Sequence, residues 1–143
     1  MILADEDAAA EFGRALAARV GAGDTICLSG PLGVGKTALA RAILGGLGHL
    51  GEVPSPTFAI VQPYEALDPP AWHADLYRIE DAGEIEELGL DEAAAGLLIV
   101  EWPERAGEDA FPGALRLTLD FAKGGARGLT AEVPPSWKAR WPI

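Results

Sequence analysis

The sequence predicts an α/β fold, with a mostly parallel central sheet flanked by helices and an antiparallel hairpin at its C-terminal end. Three observations carry this. Leu97-Leu98-Ile99-Val100 is a continuous apolar run of strand length, of the kind buried on both faces in a parallel sheet. Gly30, Gly33 and Gly35 form a glycine-rich loop between an apolar, strand-like run and a helical pattern. Leu115, Leu117, Leu119 and Phe121 alternate with Arg116, Thr118 and Asp120. The turn "KGGARG" follows and "LTAEV" alternates again, as two paired strands do.

Taken in order, Met1-Ile2-Leu3 reads as a short strand. From Asp5 to about Val20, Ala9, Phe12, Leu16 and Val20 recur at helical spacing until "GAGD" ends the pattern. "TICLSG" is a short buried strand. A second helix opens near Lys36 and buries Leu39, Ile43 and Leu47 before "GGLG" stops it. "VPSPTFAIVQPY" starts as a proline-bracketed loop and becomes a strand from about Thr57. "AWHADLYRI" reads as a strand, and "DAGEIEELGLDEAAAG" as one or two short helices. After the hairpin, "PPSWKARWPI" reads as packed or frayed coil.

A length of 143 residues fits one domain spanning 1–143, large enough to bury a sizeable core. No apolar run approaches the roughly 18 residues that a membrane span requires. The start is acidic where a signal peptide is basic, so a soluble cytoplasmic protein is expected. The lone Cys27 sits in an apolar run and reads as a small hydrophobe. The net charge of -11 excludes a class of function, because eleven scattered cations against 22 acids supply no basic stripe. Direct nucleic-acid binding, which needs one to displace counterions, is not expected. Any bound phosphate must be held locally.

"GPLGVGKT", Gly30 to Thr37, has the spacing G-x-x-x-x-G-K-[ST] and sits between a strand and a helix, as that motif requires. The chemistry explains the residue types. Glycines let the backbone turn with positive φ and approach oxygen atoms closely. The helix opening at Lys36 adds the positive end of its dipole. Lys36 supplies a charge for the β- and γ-phosphates, and the Thr37 hydroxyl is a hard oxygen suited to Mg2+. The fold class is thus that of the P-loop NTPases, and the expected ligand is a nucleoside triphosphate. A carboxylate near the metal is also needed, and Glu101, directly after the apolar run, occupies the usual place. Asp75 in "WHADLYR" is a second acid at a strand end, and Thr57 in "SPTF" lies in a stiff loop able to present a hydroxyl.

"GPLGVGKT", "SPTF", "HADLYR" and "VEWPE" together resemble the TsaE (YjeE) family, small P-loop ATPases required for making threonylcarbamoyladenosine at position 37 of tRNAs. The resemblance covers nearly the whole chain. It implies ATP and Mg2+ as ligands and the TsaD and TsaB type of transferase subunits as partners. It places Gly33, Val34, Gly35, Lys36, Thr37 and Ala38 on the nucleotide loop, with Thr37 and Glu101 on the metal. Asp75 falls on the acid needed for hydrolysis and Thr57 in a switch-like segment. Trp102 adjoins the metal site, and Glu6 and Arg127 lie near the nucleotide. The chain departs from the common "GDLGAGKTT" at Pro31, which removes a carboxylate and a backbone N–H, and at Ala38, which replaces a second Thr.

The remaining residues read more plainly. His73 is expected to be a hydrogen-bonded structural histidine rather than a metal ligand, and His49 to be exposed. The acidic run around Glu84 is a solvated face or a surface for a partner. Trp137 and Trp141 pack against the sheet or mediate contact. Two other functions compete with the ATPase: a small-molecule kinase, and an interaction module that binds ATP with negligible hydrolysis. The kinase would need a lid with several arginines, and the eight arginines here are dispersed.

Overall fold

Among the described residues, seven strands share one sheet, in the order β1-β7-β6-β2-β5-β4-β3. They are β1 (Ile2–Leu3), β2 (Thr25–Ser29), β3 (Val61–Tyr64), β4 (Ala71–Asp75), β5 (Leu97–Glu101), β6 (Leu115–Phe121) and β7 (Arg127–Glu132). The computed structural model describes residues 1–53, 61–107 and 109–141, without the side chains of residues 82 and 92. The expectation that a strand begins near Thr57 falls outside the described residues; the described strand runs from Val61.

Parallel pairing is confined to the four central strands, β6-β2-β5-β4. Antiparallel pairs close both margins, where the sequence suggested them at the C-terminal one: β6 with β7, β7 with β1, and β4 with β3. All five residues of β4 and of β5 are buried, which is why neither shows alternation. Their register sets Asp75 opposite Glu101 and His73 opposite Ile99.

Helices α1 (Glu6–Ala17) and α2 (Lys36–Gly46) cover one face of the sheet. Leu16, Leu39, Ile43 and Leu44 meet Ile26, Leu28, Ile99 and Leu117 there, all almost fully buried. Each such side chain contributes about 1.5–3 kcal/mol, so packing outweighs end effects in holding both helices. The two helices meet closely at Gly13, where an added Cβ would lie 2.4 Å from Cβ of Ala42. The Asp5 carboxylate caps α1 by accepting from Ala8 N at 2.8 Å. α1 ends at Ala17 rather than Val20, with Ala18 N bonded back to Arg14 O.

The other face is covered by Ile79, Ala93 and Phe111 over Cys27, Trp72, Leu98 and Val100. The acidic segment there forms two 3-10 runs, Ala82–Leu88 and Leu90–Ala95, divided by Gly89 at φ 69°. Burial pushes the Cys27 thiol up to about 12, as expected for a packed hydrophobe.

Three other expectations change. β4 stops at Asp75, because the Asp75 carboxylate accepts from Tyr77 N and turns the chain. His49 is partly covered, its ring edge-on to Tyr64 at 4.8 Å. The tail is not coil: Pro135–Arg140 is a 3-10 turn that buries Trp137 completely, while Trp141 meets Phe12 edge-on. Arg140 anchors it by donating to both carboxylate oxygens of Asp24, at 2.6 and 3.2 Å.

Candidate functional site

The loop between β2 and α2 lies at the carboxyl end of the parallel strands, where open α/β sheets hold their ligands. Gly30 has φ 141°, and a Cβ there would stand 2.4 Å from the Leu119 carbonyl oxygen, so no side chain fits. Gly33 and Gly35 have φ 79° and 117°, with open space where a Cβ would be. Gly35 is also the N-cap of α2 and offers no side chain to cap it, unlike Asp5 in α1. The helix start therefore presents backbone N–H groups and its dipole to the loop.

Lys36 is only 4% exposed. Its Nζ donates to Gly30 O at 2.6 Å and Pro31 O at 3.0 Å, and lies 4.1 Å from the centre of the Trp102 ring. Burial lowers its pKa, while Glu101, Glu104 and Asp75 act in the opposite direction. Thr37 Oγ1 donates to the Glu101 carboxylate, 2.8 Å from Oε1 and 3.0 Å from Oε2. His73 Nε2 reaches Oε2 of the same group at 2.6 Å. Asp75 stands beside Glu101 in register, and its pKa is raised chiefly by burial. The Tyr77 N–H lowers it, Glu101 raises it, and His73 and Lys36 lower it.

Trp102 takes φ 57°, the left-handed region that a bulky residue rarely adopts. That turn places the indole against both Lys36 and Tyr77, the latter at 4.9 Å between ring centres.

Two cavities flank the loop and share Gly33, Gly35 and Ala38. One of about 300 Å³ is lined by Lys36, Thr37, Asp75, Glu101 and Trp102. The other, of about 550 Å³, is lined by Glu6, Ala9, Val34, Leu119 and Arg127. Both volumes fall in the usual range for small-molecule sites. Both linings mix charged and apolar groups, with Asp5, Glu6, Arg41 and Arg127 in the larger. Of the two, the smaller includes Lys36 and Thr37, which suits the phosphate end of a ligand, and the larger has the room for its nucleoside end.

The structure thus brings together Lys36, Thr37, Asp75, Glu101 and Trp102 on one side, and Glu6 and Arg127 on the other. Arg127 is committed to protein acceptors: Nε donates to Val34 O at 2.7 Å and Nη1 to Gly125 O and Ala126 O. It steadies the loop from behind. Thr57 lies outside the described residues. Sequence reasoning missed the bond between His73 and Glu101, although alternation along "HAD" puts His73 and Asp75 on one face of β4.

The donor set fits Mg2+. A hydroxyl and a carboxylate in contact offer the hard oxygens it prefers. Among the described residues, no group of three or more His, Cys, Asp or Glu could hold an ion by itself. A Mg2+ held here would take its other ligands from phosphate and water, as this cation commonly does.

A family model described as Threonylcarbamoyl adenosine biosynthesis protein TsaE matches residues 3–129. The tRNA threonylcarbamoyladenosine biosynthesis protein TsaE of Streptomyces coelicolor is 43% identical over 118 residues, covering 80% of each chain. Its counterpart in Synechocystis sp. is 40% identical over 109 residues, covering 72% of this chain and 69% of the relative. The crystal structure of Bacillus subtilis YdiB aligns with a TM-score of 0.81 at 26% identity, over 98% of this chain and 88% of the other.

Proposed function

The chain belongs to the TsaE family of threonylcarbamoyl adenosine biosynthesis proteins, and from that premise we propose that it is a P-loop ATPase, dependent on Mg2+, in the service of tRNA modification. One observation carries the reading: Lys36, Thr37, Asp75 and Glu101 line a single cavity at the mouth of a glycine loop.

Each residue has a task its position allows. The backbone from Gly33 to Ala38 wraps the phosphates, and Lys36 leaves its loop carbonyls for β- and γ-phosphate oxygens. Thr37 and Glu101 hold Mg2+, directly or through water. When bound, that ion would supply positive charge to offset the charge of the phosphates. Asp75 orients the attacking water and accepts its proton, a role suited to a carboxylate whose pKa burial has raised. Trp102 lids the phosphate end. Glu6 and Val34 border the nucleoside end, where the family resemblance favours adenine.

The chain does not transfer the threonylcarbamoyl group itself. It drives or resets a cytoplasmic complex of TsaD-type and TsaB-type subunits, with Thr57 sensing the γ-phosphate. A net charge of -11 argues that those proteins, not this chain, hold the tRNA. Pro31 favours a second reading, an ATP-gated interaction module with negligible turnover, because it removes an N–H and a carboxylate from the loop.

Phosphate release from ATP and Mg2+ tests both readings, with the chain alone and with the two partner subunits added. Release stimulated by the partners supports the ATPase. ATP-dependent assembly without release supports the module, and failure to bind ATP overturns both.

A further inference from the structure

Glu101 is 2% exposed, and its two oxygens are shared out unequally. Oε2 takes the bond from His73 at 2.6 Å, while Oε1 is the nearer oxygen to Thr37, at 2.8 Å. His73 is fully buried in a strand whose other core positions are alanine and tryptophan. Its Nδ1 has no hydrogen-bond partner among the described residues, so the bond to Glu101 is the one polar contact the ring makes there. A buried ring with one orphaned nitrogen is a costly way to fill space that an apolar side chain would fill. The other nitrogen must repay that cost through what it does to Glu101.

Strand geometry shows what that is. His73 and Asp75 lie on one face of β4, with Asp75 directly opposite Glu101 and His73 one pleat behind. A carboxylate on a flexible stem could swing towards the Lys36 ammonium, whose charge it feels. The bond to His73 holds Oε2 while Thr37 reaches both oxygens, so the carboxylate is pinned beside the Thr37 hydroxyl in the cavity lining.

We infer that His73 is a positioning residue: its Nε2 bond fixes the Glu101 carboxylate in the orientation that, with Thr37, completes a Mg2+ site. The inference rests on the reading of Thr37 and Glu101 as metal ligands and adds the group that aims one of them. Hydrogen-bond partners of metal ligands typically matter by about 10- to 100-fold in metal affinity.

The experiment measures the affinity of a fluorescent ATP analogue across a Mg2+ titration, and again in chelator without Mg2+. His73→Leu, which lacks a donor, should raise the Mg2+ concentration at half-effect about 10-fold or more. Its Mg2+-free affinity should stay within about 2-fold of wild type. His73→Gln, whose amide nitrogen reaches about as far as Nε2, should restore most of the Mg2+ response. If His73→Leu does not fold, His73→Asn, whose amide falls short of Glu101, replaces it with the same expectation. An unchanged half-effect concentration in the donor-lacking variant overturns the inference. So does an equal loss of Mg2+-free affinity in the Leu (or Asn) and Gln variants, which marks a merely structural ring. A wild-type affinity indifferent to Mg2+ would instead overturn the metal reading itself, and this inference with it.

Discussion

Among the described residues, Lys36 is the one cation lining the phosphate-side cavity, and two acidic side chains share that lining with it. A charge-assisted hydrogen bond is worth roughly 1.5–3 kcal/mol, so Lys36→Ala should weaken ATP binding about 10- to 100-fold by calorimetry. Unchanged affinity would remove the loop from the account. Glu101→Gln and Asp75→Asn should divide along another line. The first raises the Mg2+ requirement for nucleotide binding, and the second slows phosphate release while leaving binding nearly intact. Asp75→Asn carries a second signature. Burial raises the Asp75 pKa, so between the ordinary carboxylate value and the raised one the folded state holds an extra proton. Wild-type stability is therefore fullest below the ordinary value and falls as pH climbs through that window. The Asn variant has no such penalty, and its advantage in thermal unfolding of the apoprotein should grow with rising pH. An advantage that shrinks instead would contradict the buried carboxylate.

At the scale of elements, a small gap between two helices decides more than their propensities. Gly13→Ala should cost about 1–3 kcal/mol by overpacking, since its Cβ would collide with Ala42. Gly45→Ala, in the same pair of helices but with nothing within 4 Å, should gain about 0.5–1 kcal/mol. Urea unfolding of the two variants checks both signs. These glycines also mark how far the sequence could be read. Apolar periodicity was enough to find α1 and α2, and an unbroken apolar run to find β5, because both patterns record burial. It gave no warning that β4 would stop at Asp75, where one side-chain bond to Tyr77 outweighs an extended pattern. Nor did it show the 3-10 turn around Trp137, which is held by distant Asp24 through Arg140. The candidate site was legible where the motif is local, from Gly30 to Thr37. The partnership of His73 with Glu101 was not, since those residues are 28 apart in sequence and meet only through strand register.

Across the whole molecule, charge and topology divide the labour between this chain and whatever it assembles with. With a net charge of -11 it is ill suited to hold tRNA, so on the proposed reading a change at the γ-phosphate would be read by protein. Thr57→Ala should leave ADP binding unchanged but reduce the preference of assembly with the transferase subunits for a non-hydrolysable ATP analogue over ADP, measured by gel filtration. Equal assembly of wild type with both nucleotides would return Thr57 to ordinary loop chemistry. The pairing of Asp75 with Glu101 across β4 and β5 has a last consequence, visible in a gene rather than in a mutant enzyme. Successive strand residues face opposite ways, so losing a single codon inside β5 would turn the Glu101 carboxylate towards the face that Val100 now occupies. The run would remain as apolar and as strand-like as before, and the sheet could still form. Thr37, His73 and Asp75 would then face the Trp102 side chain in place of a carboxylate, and a protein with its fold intact would have lost its chemistry to a change of length alone.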